Sequence, residues 1–189
     1  VFRDRIERSV LFQGKMNDCF FLFHLCFALQ FADHPSGAVC YLGRYFGQFY
    51  HYPWLGALIV SMCIAGFGLL FHYLLAMLKG TVRFCEVLVP CLLLLALHTS
   101  TVWLLHDTLG LCASLAAFVG YASIPKKTPK RVYAVLATPI VYLLLGVYAW
   151  LFVVWTAISE WRNVPLRTGL PFKIGYIVFS VAVPLVAWR

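Results

Sequence analysis

His106 and Asp107 stand side by side near the start of an apolar run, and His98 precedes them by a few residues. A carboxylate with histidines close to a membrane surface can do general acid–base work or hold a divalent metal. Asp107 is the strongest candidate, because an ionisable group a turn inside an apolar helix is costly unless paired or hydrated. Asp18 adds a second carboxylate from the polar N-terminal region. Asp107, His106, His98 and Asp18 are therefore the candidate catalytic residues. His51, Tyr52, Thr99, Ser100, Thr101, Glu160 and Arg162 are expected on the same face. The plainer reading is that such residues mark where helices leave lipid. The chain has no H-E-x-x-H pair, nucleophile elbow, phosphate loop or metal-type spacing, so neither a cofactor nor a metal is expected.

The elements that must position these groups are unusually apolar. Runs over 55–78, 102–123, 132–159 and 172–188 carry almost no charge, and a shorter run covers 85–98. About 20 apolar residues cross a bilayer core as a helix, at about 1.5 Å per residue. The 62% hydrophobic and 12% charged content agrees, as does a mean hydropathy of +0.85. The fold class is all-α, a polytopic transmembrane helical bundle of about five spans. Residues 1–54 form a helical lead-in and residues 55–189 the bundle.

Within the lead-in, Cys19 to Ala32 is apolar all round but too short to span, which suits an interfacial helix. Asp33 to Gly37 makes a turn. An amphipathic helix then runs from Ala38 to Tyr52, with Val39, Leu42, Phe46 and Phe49 on its apolar side. Gly43 and Gly47 form a small-xxx-small pair that lets another helix approach closely. Further on, 85–121 is too long for one helix and breaks near His98–Thr101. Pro139 is expected to kink the span 132–159. His72, alone in the first span, is expected to hydrogen-bond a neighbouring helix, and Glu86 to pair with Arg83 at i, i+3.

The charge balance is +8, yet nucleic acid is not the expected partner. The basic residues sit in short loops and at span ends, where the positive-inside rule accounts for them. Lys126, Lys127, Lys130 and Arg131 are expected on anionic lipid head groups. Loops 79–84 and 124–131, with Arg189, are placed in the cytoplasm. Residues 1–54 are placed outside, as are Arg162, Arg167 and Lys173. That arrangement, with a start at Val1, implies a piece of a longer protein that pairs with missing parts of its own chain. The seven cysteines form no C-x-x-C pair and read as small buried hydrophobes. A disulfide among Cys19, Cys26 and Cys40 requires an oxidising compartment.

Phe21 to Ile59 resembles a bacterial family of polytopic inner-membrane proteins known only as a domain of unknown function. The resemblance rests on an aromatic run ending in Tyr52, Pro53 and Trp54, followed by the small-residue span start at Gly56. A Pro-Gly-Gly-like turn is matched by Pro35, Ser36 and Gly37, where Ser36 departs from the pattern, as does His51. The Pro90-to-Thr99 hairpin is also similar. The resemblance implies an inner-membrane location, a span upstream of this start and no known reaction. Two functions remain open. One is a non-enzymatic module or scaffold of the cell envelope. The other is a membrane-embedded transferase acting on a lipid-linked, sugar-phosphate type substrate at the outer face.

Overall fold

The computed structural model describes residues 35–99, 104–163 and 166–187. Among them every regular element is helical. Helix α1 spans Gly37–Gly47 and continues into a 3-10 turn, Gln48–His51. Helices α2 (Pro53–Lys79), α3 (Phe84–His98) and α4 (Leu105–Ser123) follow. Then come α5 (Lys127–Leu145), a 3-10 turn at Gly146–Tyr148, α6 (Ala149–Asn163) and α7 (Leu166–Ala187). Pro53 opens α2, where its missing N–H would have no intrahelical acceptor in any case.

By length and composition three helical stretches suit a bilayer crossing: Pro53–Lys79, Leu105–Ser123 and Lys127–Trp161, although the last folds back on itself. Phe84–His98 and Phe172–Leu185 are shorter apolar helices. Large apolar side chains such as Met62, Leu69, Leu93 and Val178 cover the outside. Water would leave that surface prone to association, whereas acyl chains solvate it.

The stretch 132–159 differs from the single kinked span expected for it. The chain reverses at Gly146, whose φ of 59° lies in the left-handed region that glycine adopts without Cβ strain. Arg131 and Glu160 are consequently 3.4 Å apart. In one straight helix their 29 residues of separation would place them about 43 Å apart. Further along the two arms, Thr138 and Thr156 both hydrogen-bond the Tyr176 hydroxyl of α7, at 3.0 and 2.8 Å. Each threonine oxygen also lies within hydrogen-bond reach of a carbonyl one turn back in its own helix. With one proton per hydroxyl, one threonine donates to its carbonyl and accepts from Tyr176, while the other shares its proton between its carbonyl and the phenol oxygen. The buried hydroxyls thus tie three helices without leaving a polar atom unsatisfied.

Other contacts fix the remaining directions. Cys112 Sγ reaches the Cys63 carbonyl at 3.7 Å and Ser123 Oγ approaches Met77 Sδ at 4.0 Å, so α2 and α4 run parallel. Phe118 meets Trp155 edge to face at 5.3 Å, with α4 and α6 also parallel. Helix α3 returns against α2 and α7 against α6. The bundle therefore has two distinct ends. At the histidine end lie His51, His98, His106 and the Gly146 turn. The lysine end gathers Lys79, Arg83, Lys126, Lys127, Lys130, Arg131 and Lys173.

Helix α1 buries a face other than the expected one. Gly37, Val39, Gly43 and Gly47 are buried, while Leu42 is 44% exposed. The reason is close packing on α4: a Cβ added at Gly43 would stand 2.5 Å from His106 Cβ. The small-residue pair thus admits the neighbouring helix. Leu42 would hold the two backbones apart.

Candidate functional site

Asp107 is the third residue of α4, in its first turn and not deeper in the helix as its neighbours in sequence suggested. Its Oδ2 accepts the Leu104 backbone N–H at 2.8 Å. This is one arm of a capping box; a leucine at the N-cap has no oxygen to supply the other. The negative charge also sits at the positive end of the α4 dipole. Oδ1 accepts a hydrogen bond from the Tyr148 hydroxyl, delivered by the turn between α5 and α6. His106 Nε2 lies 3.5 Å from that same Oδ1. Asp107 is 18% exposed and His106 28%, so the pair is largely enclosed.

Glycines permit this convergence. A Cβ at Gly110 would run into the Tyr148 ring, which lies directly on the α4 backbone one turn after Asp107. The turn is held in turn by α1: Ser36 N–H donates to the Leu143 carbonyl at 3.3 Å. A Cβ at Gly146 would meet Ser36 Cβ at 2.6 Å. Ser36 itself has φ of 77°, a conformation costly for a residue with a side chain.

His98 bonds the residue that follows Asp107. Its Nδ1 is 3.1 Å from the Leu94 carbonyl and its Nε2 is 3.3 Å from Thr108 Oγ1. With Nδ1 protonated toward the carbonyl, Nε2 accepts from the threonine hydroxyl. His98 therefore joins the end of α3 to the first turn of α4. Thr99 donates to the Ala96 carbonyl at 2.6 Å and stays outside the cluster. His51 is exposed and touches Tyr52 edge-on. Asp18, Ser100 and Thr101 lie outside the described residues, as does the 19–32 segment.

Beside this cluster an apolar groove of about 850 Å³ opens between α2 and α3. Gly56, Ala57, Ala65 and Gly68 line it, with Tyr50, His98 and Thr99 from the histidine end. Among the described residues no lysine or arginine lines it.

Glu160 belongs to the opposite end of the bundle from Asp107, contrary to the shared face expected for them. It is 8% exposed. Tyr121 donates to its Oε1 at 3.0 Å, and Arg131 approaches Oε2 at 3.4 Å. Arg131 also stacks over the Phe172 ring at 4.6 Å, and its buried Nε has no hydrogen-bond partner among the described residues. Lys130 Nζ lies 4.5 Å above the Tyr121 ring. Lys173, expected outside with Arg162 and Arg167, is 5% exposed at this same end and faces the Trp161 ring at 5.3 Å. Sequence reasoning missed this cluster because it read 132–159 as one element. The missed signal was length, since 28 residues span about 42 Å, well beyond a bilayer core of about 30 Å.

Two smaller expectations also change. Glu86 pairs with Lys79 across the α2–α3 turn at 3.1 Å. Arg83 caps α3, its carbonyl accepting the Glu86 N–H. His72 points outward from α2 and has no hydrogen-bond partner among the described residues. Cys40, Cys63, Cys91 and Cys112 are half-buried thiols, while Cys85 is exposed. Among the described residues no three His, Cys, Asp or Glu side chains converge closely enough to hold a metal ion.

Comparison with curated proteins and with solved structures finds no match. A family model does match, over residues 10–188, and its description is a family of unknown function, DUF6057. The match covers nearly the whole chain, in accord with the resemblance carried by Tyr52-Pro53-Trp54. This all-helical chain belongs to the family of unknown function DUF6057.

Proposed function

We propose that this protein is a non-enzymatic, multi-pass helical module of a bacterial inner membrane, with the lysine end in the cytoplasm. The observation that carries the reading is the occupation of Asp107. One carboxylate oxygen is taken by the Leu104 N–H and the other by the Tyr148 hydroxyl. A general base needs a lone pair directed at substrate. Here each carboxylate oxygen carries one structural hydrogen bond, and together they fix the start of α4 to the α5–α6 turn, leaving about two of the four lone-pair positions. The orientation is supported by charge: Lys79, Arg83, Lys126, Lys127, Lys130, Arg131 and Lys173 share one end, and Arg44 stands near the other. With Lys173 moved to the lysine end, the asymmetry is stronger than loop counting suggested.

The test is Asp107→Asn beside Tyr148→Phe, scored for membrane abundance, melting and complementation of a deletion strain. The scaffold reading expects any loss of complementation to track lost stability. Normal abundance and melting with abolished complementation in Asp107→Asn would favour catalysis.

One observation favours the second reading, a transferase for a lipid-linked substrate at the outer face. The groove between α2 and α3 is lined mostly by apolar side chains, with Tyr50, His98 and Thr99 from the histidine end. That lining suits an isoprenoid or acyl tail. It ranks second because a sugar-phosphate head needs cations, and among the described residues no lysine or arginine lines the groove.

A further inference from the structure

At the lysine end the parallel helices α2, α4 and α6 diverge around a cavity of about 500 Å³. Met77, Phe118, Ala122, Trp155 and Ile158 make an apolar wall, while Lys130 and Ser159 supply its polar side. Lys130 enters from the first turn of α5 and rests over the Tyr121 ring. No carboxylate among the described residues lies within ion-pair distance of it. The nearby Glu160 is engaged by Tyr121 and Arg131 instead. Lys126 and Lys127 stand exposed on the adjoining loop. The carbonyl ends of α2, α4 and α6 point the same way and disfavour anions, while the amino end of α5, which carries Lys130 in its first turn, favours them.

We propose that this cavity binds one anionic phospholipid, its phosphate on Lys130 and an acyl chain along Phe118, Ala122 and Trp155. Charge complementarity chooses the occupant. An ammonium without a carboxylate partner, at the edge of an apolar cleft, matches a headgroup phosphate joined to hydrocarbon. Basic pockets between membrane helices take such lipids, with about 1 kcal/mol from each lysine at the surface. A second helix would bury Lys130 against carbon and leave its charge unsatisfied. The site differs from diffuse attraction to the basic loop, because Arg131 is already committed to Glu160 and, among the described residues, Lys130 is the one base that lines the cavity. The inference requires a bilayer but not a particular orientation of the bundle.

The experiment measures melting of the full chain in detergent micelles during titration with phosphatidylglycerol, phosphatidylcholine or inorganic phosphate. Phosphatidylglycerol should raise the melting temperature with saturation; the other two should not. Lys130→Gln should raise the half-maximal lipid concentration roughly fivefold, the equivalent of one lysine contact. Lys126→Gln with Lys127→Gln should change it by less than about twofold. Ala122→Trp fills the apolar wall without altering charge and should abolish the saturable rise, each variant being compared with its own lipid-free state. Equal effects of phosphatidylcholine, or a loop double variant as damaging as Lys130→Gln, overturn the proposal. So does saturation retained in Ala122→Trp, or a rise with phosphate alone.

Discussion

The two ends of the bundle make the same bond in opposite senses. At the histidine end α4 supplies the carboxylate, Asp107, and the turn before α6 supplies the phenol, Tyr148. At the lysine end α4 supplies the phenol, Tyr121, and α6 the carboxylate, Glu160. Two parallel helices are thus riveted at both extremities by tyrosine–carboxylate pairs. The surroundings differ. Among the described residues Asp107 has His106 as its one basic neighbour, whereas Glu160 faces Arg131 with Lys130 close by. One rivet is set by helix capping and close glycine packing, the other by charge neutralisation. The bond type therefore says little about function until its neighbours are known.

Removing a carboxylate separates the two ends most strongly. Glu160→Ala leaves Arg131 half-buried beside Phe172 without its counter-ion and should destabilise by about 3 kcal/mol in detergent melting. The double charge reversal Arg131→Glu with Glu160→Arg should recover part of that loss, since it depends on contact between the arms at the Gly146 reversal. Absence of any recovery would argue against the hairpin. Gly110→Val comes next, at about 2 kcal/mol, because the Tyr148 ring has nowhere to move. Tyr148→Phe should cost about 1 kcal/mol, the net worth of one hydrogen bond, and should add nothing in the Asp107→Ala background, which has no side-chain acceptor. The smallest change is at the α1 start. Ser36→Gly relieves a left-handed backbone but loosens the unfolded chain, so melting should shift by no more than about 0.5 kcal/mol.

Much of the fold was legible because hydrocarbon burial is written in composition. The runs 55–78 and 85–98 became α2 and α3 with ends displaced by no more than two residues, Pro53 marked the entry and Gly43–Gly47 marked a helix contact. His106 and Asp107 adjoin at the start of α4, as their sequence positions require, and His98 reaches the next residue, Thr108. What periodicity could not reveal was direction. An apolar run looks the same whether it continues or turns back, and Gly146 is one glycine among many. The partner of Asp107 was hidden for that reason: Tyr148 lies in the middle of what read as a single span. Glu160 was assigned to the wrong end by the same error, and Arg131 was given to lipid when its carboxylate sits across the hairpin.

The Gly146 reversal also changes the parity of the chain. Five passes would deliver the tail to the face opposite Pro35. With α5 and α6 folded as separate arms, Ala187 emerges at the same face as Pro35. Reporter enzymes fused ahead of residue 35 and behind residue 187 should then sample one compartment, and a fusion in the loop 124–126 the other. A topological map of this kind turns a single backbone angle into a readout visible on whole cells.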